Sequence, residues 1–199
     1  QSIRALHNGK SVYCEKPMAI NQDELDQLTA VLAKPGQALF TVGFNRRFAS
    51  MAVRMKAFFE NRSEPLHIYY RINAGALPLN HWLHDPTVGG GRVIGEGCHF
   101  IDFLIFLTGL LPKTVISKAL PEGGKYRQDN LQITFSFTDG SIGTIAYLAN
   151  GEKSFPKERV EVFGNGKTAV LDDFRTLELA TNGSRQLTKS RLRQDKGHQ

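Results

Sequence analysis

Cysteines and long apolar runs are scarce in this chain. Its 199 residues include only Cys14 and Cys98, too few for the disulfide framework of a small secreted domain. Neither stands in a CxxC or another zinc-ligand spacing, and free thiols fit a reducing cytoplasm. No apolar stretch approaches the roughly 20 residues that cross a bilayer, and no signal-peptide pattern opens the chain. We therefore expect a cytoplasmic protein with no membrane span and no disulfide.

The glycine fingerprint of a dinucleotide-binding turn, G-x-G-x-x-G after a strand, is also missing. Gly89-Gly90-Gly91 allows a tight backbone turn before a helix, but it does not have that spacing. Gly95-Glu96-Gly97 is too short to count. Because the chain begins at Gln1 rather than at a Met, we expect a segment that carries such a fingerprint to lie upstream.

Positive charge exceeds negative charge by six at neutral pH, which raises the question of a nucleic-acid partner. Much of this excess lies between Ser184 and Gln199, where five basic residues accompany a single acid, Asp195. A basic polar tail is more often solvated than a binding surface, and no nucleic-acid-binding motif accompanies it. We predict a solvated tail and no nucleic-acid partner.

The first forty-five residues are typical of a β-α-β crossover. Ser11–Glu15 and Ala38–Phe44 have strand character. Between them, Asn21 and Glu24 have the three-residue spacing of a helix capping box. A strand, a helix and a strand with short connections belong to a parallel sheet. Because two strands do not make a stable sheet, we interpret residues 1–45 as the last piece of a larger α/β domain.

Residues 46–199 change to an α+β pattern. Helices are predicted at Ser50–Asn61 and at Glu96–Thr108, the second apolar on nearly every face. Asp139-Gly140 lies between two alternating apolar runs and is a strong hairpin signal. Strand patterns cover Leu66–Asn73, Thr114–Ala119, Asn130–Phe137, Ser141–Ala149, Arg159–Phe163 and Thr168–Leu171. The predicted fold class of this portion is α+β with a mostly antiparallel sheet.

Lys16 is the first candidate for chemistry. It follows a strand and precedes Pro17, which holds its backbone extended and permits either peptide isomer. Ligands of open α/β sheets bind beyond the carboxyl ends of the strands, and an ammonium there can donate to an alcohol or carbonyl oxygen. A surface lysine paired with Glu15 is the simpler explanation of the tripeptide, and the spacing alone favours it.

His99 and Asp102 lie in the apolar helix, where burial of a charge is costly without a partner. Three residues apart, they share one helix face and can contact each other. We expect His99 in the first helical turn, where the helix dipole favours the neutral imidazole that a general base needs. The carboxylate of Glu96 on the same turn has the opposite effect, because it favours the charged imidazolium form of His99. A buried His–Asp pair with a purely structural role is the competing explanation.

Three histidines, His81, His84 and His99, raise the alternative of a metal hydrolase. Their spacing matches no known type of zinc site, and Pro86 with the surrounding glycines indicates a loop. We therefore predict no metal site.

Three arginines offer binding groups at strand ends. Arg46 and Arg47 follow the second strand of the crossover, and Arg71 lies near the end of another predicted strand. Guanidinium groups bind carboxylates and other oxygen acceptors well. Such an arginine is nevertheless more often a solvated charge, so the residues alone leave both explanations open.

Lys16, Arg46 and His99 fall in three segments of characteristic sequence. These are Tyr13–Ala19 (YCEKPMA), Val42–Phe48 (VGFNRRF) and Gly89–Asp102 (GGGRVIGEGCHFID). In this order and at this spacing they resemble the Gfo/Idh/MocA oxidoreductase family across nearly the whole chain. The intervening text, including His81-Trp82, is most similar to a subgroup of bi-domain dehydrogenases found near polysaccharide-biosynthesis genes.

The resemblance implies two domains. Residues 1–45 would be the C-terminal remnant of a Rossmann domain that binds NAD or NADP. Residues 46–199 would form an α+β domain for substrate binding and oligomerisation, with an open, mostly antiparallel sheet that carries helices on one face. The open face commonly packs against another subunit in the family, which implies a homo-oligomer. The family's last helix is expected to begin near Lys196-Gly197-His198, where the sequence stops, so we expect this domain to lack it.

The resemblance also implies site residues, position by position. Lys16 matches the family's lysine that touches both nicotinamide and substrate, and His99 matches its usual acid–base residue. Asp102 matches a substrate-binding acid. Substrate binding is further assigned to Asn45, Arg46 and Arg71, and cofactor contacts to Glu15, Lys16, Pro17 and Trp82.

One position departs from the family pattern. Many members carry an aspartate four residues before the histidine to complete a proton relay, and this chain has Gly95 there. Glu96 can substitute as a third catalytic residue, since residues three apart share a helix face.

The sequence thus predicts a fragment of an NAD(P)-dependent oxidoreductase that transfers hydride between nicotinamide and a sugar- or polyol-like alcohol or ketone. We expect the fragment itself to be inactive, because most of its cofactor site would lie upstream. The alternative is a non-catalytic member of the same fold that senses a dinucleotide or binds a protein.

Overall fold

A computed structural model describes residues 1–121, 124, 127–190 and 193–198. The chain forms two compact units, Gln1–Phe44 with Asn80–His99, and Asn45–Leu79 with Phe100–Gln199. Residues 80–99 thus group with the crossover, although the sequence pattern assigns them to the later α+β portion. Each helix in the described part of the chain is too short or too polar to cross a bilayer.

The first unit contains the predicted β-α-β crossover. Its elements are α1 (Ser2–His7), β1 (Val12–Cys14), α2 (Gln22–Leu32) and β2 (Phe40–Val42). β1 and β2 pair in parallel, which confirms the last β-α-β piece of a Rossmann-like domain. The N-cap half of the predicted capping box forms, because Asn21 Oδ1 accepts a hydrogen bond from the Glu24 N–H at 2.9 Å, while the Glu24 carboxylate accepts from the Ile20 N–H at 3.0 Å rather than from Asn21. Leu6, Leu28 and Val31 are the buried centre of a small apolar core.

The second unit is an eight-stranded sheet with two helices. Its elements are α3 (Ser50–Phe58), β3 (His67–Asn73), α4 (Cys98–Thr108), β4 (Pro112–Ala119), β5 (Asn130–Phe137), β6 (Ile142–Leu148), β7 (Glu158–Gly164), β8 (Lys167–Asp172), β9 (Thr176–Thr181) and β10 (Ser184–Lys189). The strand order is β10-β9-β8-β7-β3-β6-β5-β4. Only β3 and β6 pair in parallel among these described strands. The predicted α+β fold with a mostly antiparallel sheet is confirmed.

One face of this sheet forms the core, and the other is open. In β3, Tyr70 is fully buried, whereas Tyr69 and Arg71 on either side of it lie on the opposite face. The rings of Phe100 and Phe103 in α4 pack edge-on against the Tyr70 ring, with centroids 5.1 and 5.5 Å away. Helices therefore cover one face, as the resemblance implies.

The last two strands replace part of the predicted tail. β9 and β10 form a hairpin whose two turn residues, Asn182 and Gly183, have φ angles of 49° and 71°. This is the conformation that Asn-Gly favours between paired strands. Arg185 in β10 binds Glu178 in β9, so the first six residues of the predicted tail form a strand, although most of their side chains are exposed to solvent as predicted. Arg191, another of the five basic residues, lies outside the described residues.

Candidate functional site

Lys16 lies just beyond the carboxyl end of β1, as predicted. Its Nζ donates a hydrogen bond to the main-chain oxygen of Gly95 at 2.9 Å, across 79 residues of sequence. The Lys16–Pro17 peptide bond is cis. Glu15 is exposed, and its carboxylate extends toward Gly43 at the end of β2. The Lys16 ammonium is therefore anchored on one side and remains partly exposed.

The backbone that presents Gly95 is a π-helical turn. Residues 91 and 92 are helical, Val93–Gly97 form the π turn, and α4 continues from there. The helical path thus starts at residue 91 rather than at Glu96. Because two turns of helical backbone precede His99, the prediction that it lies in the first turn under the helix dipole is wrong. Such π turns are rare and frequently occur at functional sites.

His99 lies at the same sheet edge as Lys16. It is buried, with 8% of its surface exposed, and its ring meets the Phe44 ring edge-on at a centroid distance of 6.1 Å. Phe44 follows β2 just as Lys16 follows β1. Because the two strands are parallel, their carboxyl ends share one edge. The first unit therefore brings the predicted lysine and the predicted histidine to the edge where ligands bind in open α/β sheets.

Glu96 is engaged by an arginine one turn before it. Arg92 Nη2 donates to Glu96 Oε2 at 3.1 Å, and the arginine side chain is almost fully buried, whereas a quarter of the Glu96 side chain is exposed. The pair has the i, i+4 spacing that suits helical neighbours. The role of Glu96 in a proton relay stays a prediction.

The segment before the glycine turn carries the other predicted residues of this unit. Trp82 opens the short 3-10 turn Trp82–His84 and is 59% exposed. His81 Nδ1 accepts a hydrogen bond from the Leu83 N–H at 3.2 Å. Among the described residues, no group of three or more His, Cys, Asp or Glu side chains could hold a metal ion. His81, His84 and His99 therefore do not form the ligand set that a metal hydrolase would need.

In the second unit, Asp102 is paired with Arg47. Arg47 Nε donates to Asp102 Oδ2 at 3.0 Å, and its Nη2 donates to Oδ1. Burial raises the pKa of Asp102 above its usual range, and the Arg47 guanidinium offsets part of that effect. One third of the Arg47 side chain is exposed. The sequence indicates both residues as candidates but does not predict that they meet.

Arg46 lies in a separate, buried network. Its Nε and Nη2 donate to the two carboxylate oxygens of Glu158 at 2.8 and 2.9 Å. Glu158 also accepts from Lys196 Nζ at 2.7 Å and from the Tyr70 hydroxyl. Burial alone would raise the pKa of Glu158, but Arg46 and Lys196 lower it to about 2. The Arg46 guanidinium is thus occupied by an internal carboxylate.

Asn45 and Arg71 also have internal partners. Asn45 is buried and lies 2.9 Å from the ring nitrogen Nε2 of His198. Arg71 donates to the Pro156 main-chain oxygen at 2.5 Å on the open face of the sheet. Asp102 belongs to α4, which covers the other face. The structure therefore does not bring Arg71 to Asp102.

Comparison with known protein families gives one match over more than half of the chain. The family model described as GFO/IDH/MocA C-terminal domain matches residues 63–170. This segment runs from just before β3 into β8. The match therefore covers the central strands of the sheet and the helix that carries His99 and Asp102.

Individual proteins are similar over most of this chain. An uncharacterized oxidoreductase of Bacillus subtilis, YrbE, is 28% identical over 182 residues, covering 86% of this chain and 52% of that protein. A myo-inositol 2-dehydrogenase of Thermotoga maritima is 28% identical over 189 residues, covering 89% and 56%. The chain thus spans about half the length of these curated relatives.

A solved structure shares the fold. An inositol dehydrogenase homologue from Azotobacter vinelandii, complexed with NAD+, superimposes with a TM-score of 0.79 at 17% identity. The match covers 94% of this chain and 53% of the other.

Proposed function

The chain belongs to the GFO/IDH/MocA family, and we propose that it is part of an NAD(P)-dependent oxidoreductase that moves hydride between nicotinamide and a sugar- or polyol-like alcohol or ketone. The observation that carries the proposal is the placement of Lys16 and His99 at one edge of the parallel strands β1 and β2. The relatives named as polyol dehydrogenases support the substrate class.

Each side chain at this edge has chemistry suited to the reaction. The Lys16 ammonium has three N–H donors, of which Gly95 takes one, so it can also donate to the oxygen that is oxidised or reduced. The His99 imidazole exchanges the proton of that oxygen. In the second unit, Asp102 stays a proposed substrate-binding residue, because a carboxylate accepts hydrogen bonds from hydroxyls. Because Arg46 and Arg71 have internal partners, we leave them out of the proposed substrate set.

The residues beyond β1 and β2 fit the nicotinamide end of a dinucleotide. Glu15, Lys16 and Pro17 follow one strand at the ligand-binding edge, and Trp82 is an exposed aromatic side chain of the same unit. When bound, the cofactor supplies or accepts the hydride. Because the chain has no dinucleotide fingerprint of its own, we expect turnover from the full-length parent and not from these 199 residues alone.

The test is turnover by the full-length parent with NAD+ or NADP+ and a panel of polyols and sugars that includes myo-inositol. Replacing Lys16 by Met removes the ammonium at nearly constant length, and His99→Asn removes the base. We expect each to lower kcat by about 100-fold or more. Lys34→Met, at an exposed position beyond α2, serves as the control.

Turnover that survives both substitutions within about threefold would show that these residues do not carry the reaction. A parent that binds the dinucleotide but turns over no polyol or sugar would instead support the non-catalytic alternative. Calorimetric titration with NAD+ and NADP+ separates that result from loss of the cofactor site.

We also propose that the protein is a homo-oligomer assembled through the open face of the sheet. Tyr69, Ile116, Ile142 and Phe163 expose between 36% and 74% of their surfaces there, and a groove of about 460 Å³ lies between β3 and β4 on this face. Exposed apolar side chains around a groove of this kind favour an interaction site.

A further inference from the structure

Gly95 occupies the position where the resemblance leads us to expect an aspartate, and a side chain there would force Leu83 to move. An ideally placed Cβ on Gly95 would overlap Cδ1 of Leu83 and would lie 3.2 Å from the main-chain oxygen of Gly89. Leu83 is 7% exposed. Its side chain therefore fills the space that any residue larger than glycine would need.

Leu83 is in turn fixed by its own backbone. Its N–H donates a hydrogen bond to His81 Nδ1. Because Gly89 has no side chain, the backbone of the turn Trp82–His84 can lie close to it. A Cβ on Gly89 would lie 2.5 Å from Leu83 Cα and 2.8 Å from the Leu83 and Trp82 main-chain oxygens. Leu83 thus packs against two glycines: its side chain contacts Gly95, and its backbone contacts Gly89. These contacts hold the 3-10 turn against the π turn.

The group that the π turn presents to Lys16 is the Gly95 carbonyl, at 2.9 Å from Nζ. We propose that this carbonyl, kept in place by Leu83, positions Lys16 in this chain, where the resemblance would place a carboxylate. The inference rests on the role of Lys16 proposed above and deepens it. Gly95 and Leu83 are positioning residues, because they act on the reaction through Lys16.

Without a carboxylate, position 95 offers Lys16 only its main-chain carbonyl, which changes what this position can do. An amide oxygen accepts a hydrogen bond but does not take up a proton near neutral pH, whereas a carboxylate can relay one. Position 95 therefore orients Lys16 and stays outside the proton path. Proton exchange falls to His99, with Glu96 held by Arg92.

A labelling experiment on the 199-residue chain tests the positioning directly. Limited acetylation with acetic anhydride, followed by peptide mass spectrometry, measures the reactivity of Lys16 against the exposed Lys10 and Lys34 of the same unit. Gly95→Ala forces its methyl group against Leu83 and should raise the relative reactivity of Lys16 about fivefold, which corresponds to loss of one hydrogen bond.

Two further variants make the result specific. In the double variant Gly95→Ala with Leu83→Ala, the new methyl has room, and Lys16 reactivity should return to within about twofold of the original chain. Val93→Ala removes a side chain that is about one third exposed from the same π turn, without entering this contact, and should leave the reactivity of Lys16 unchanged. If Gly95→Ala does not fold, the comparison uses Leu83→Ala instead. This variant alone should raise the reactivity of Lys16, and the double variant should bring that reactivity back down.

Unchanged Lys16 reactivity in both single variants would overturn the inference, and so would a double variant as reactive as Gly95→Ala. An activity measurement then separates this inference from the proposed function. In the full-length parent, Gly95→Ala should lower kcat while the KM for the dinucleotide stays within about twofold, and the Leu83→Ala change should restore kcat. A parent without dehydrogenase activity would refute the proposed function and leave the labelling result intact.

Discussion

At the scale of single residues, Glu158 is the most heavily engaged side chain of the second unit. It is 1% exposed and accepts hydrogen bonds from Arg46, Lys196 and Tyr70. A buried carboxylate is costly unless its oxygens are satisfied, and here donors from three separate parts of the chain satisfy them. Glu158 therefore fastens the segment after β2 and residue 196 to the middle of the sheet.

Neutralising this carboxylate should destabilise the protein strongly. Glu158→Gln leaves two cations near a neutral amide, and we expect a loss of about 3–5 kcal/mol in the free energy of unfolding at pH 7. Urea unfolding followed by far-UV circular dichroism measures it. Glu161→Gln in the same strand, where a partly exposed glutamate binds the partly exposed Arg159, should cost less than about 1 kcal/mol. If the two variants lost equal free energy of unfolding, the buried hydrogen bonds of Glu158 would not stabilise the protein more than an exposed ion pair does.

The same carboxylate predicts a pH dependence. Its pKa falls from a usual 4.5 to about 2 in the folded protein, so the folded state favours the ionised form. The resulting stability of about 3 kcal/mol is fully present above pH 4.5 and is lost as the pH falls from 4.5 toward 2. The difference in unfolding free energy between the original chain and Glu158→Gln should therefore shrink over this interval. A difference that stays constant down to pH 2.5 would rule out this linkage.

Much of the candidate site could be predicted from local sequence, and its partners could not. Lys16 precedes a proline after a strand, and His99 lies on an apolar helix, so neighbouring residues indicate where each stands. Arg46 and Glu158 are 112 residues apart, and Arg47 is 55 residues from Asp102. No short sequence pattern predicts which of the adjacent Arg46 and Arg47 is buried. That choice depends on the packed sheet, where Glu158 opens β7.

At the scale of elements, local turn chemistry explains both the successes and the missed hairpin. Asn165-Gly166 lies between β7 and β8 with φ angles of 55° and 66°, as its sequence predicts. Asn182-Gly183 carries the same signal, but the polar composition of the following strand favours a tail. The π turn has no such signal, because glycine-rich helical sequence does not distinguish hydrogen bonds of different length.

The β9–β10 hairpin gives a prediction at this scale. Gly183 has a left-handed φ of 71° and no heavy atom within 4 Å of an added Cβ, so Gly183→Ala changes backbone strain alone. We expect a loss of about 1 kcal/mol in the free energy of unfolding, measured in urea. Ser184→Ala, at the next and equally exposed residue, should stay within about 0.5 kcal/mol. A harmless Gly183→Ala would mean that the turn does not constrain the hairpin.

At the scale of the whole molecule, the second unit presents a divided surface on its open face. Around Arg159 the face is polar, since Arg159 binds both Glu161 and Asp172. Toward β4 a groove exposes apolar side chains among small polar ones: Ile116 is 74% exposed, and Tyr69 lines the same groove three strands away, beyond Thr134. Apolar side chains with a charged rim resemble the composition of a protein interface, and the proposed two-fold dimer would bring the same surface of a second copy against it.

A single substitution that adds a charge to the open face can therefore test the proposed oligomer. Ile116→Glu places a carboxylate in the apolar half of the open face, where burial against a second copy would leave it unpaired, so the dissociation constant should rise about tenfold or more. Val53→Glu, at a half-exposed position on α3, adds the same charge on the helical side and should have little effect. Sedimentation velocity over a concentration series measures both. A wild-type chain that stays monomeric at about 100 µM, or equal weakening by the two variants, would exclude assembly through this face.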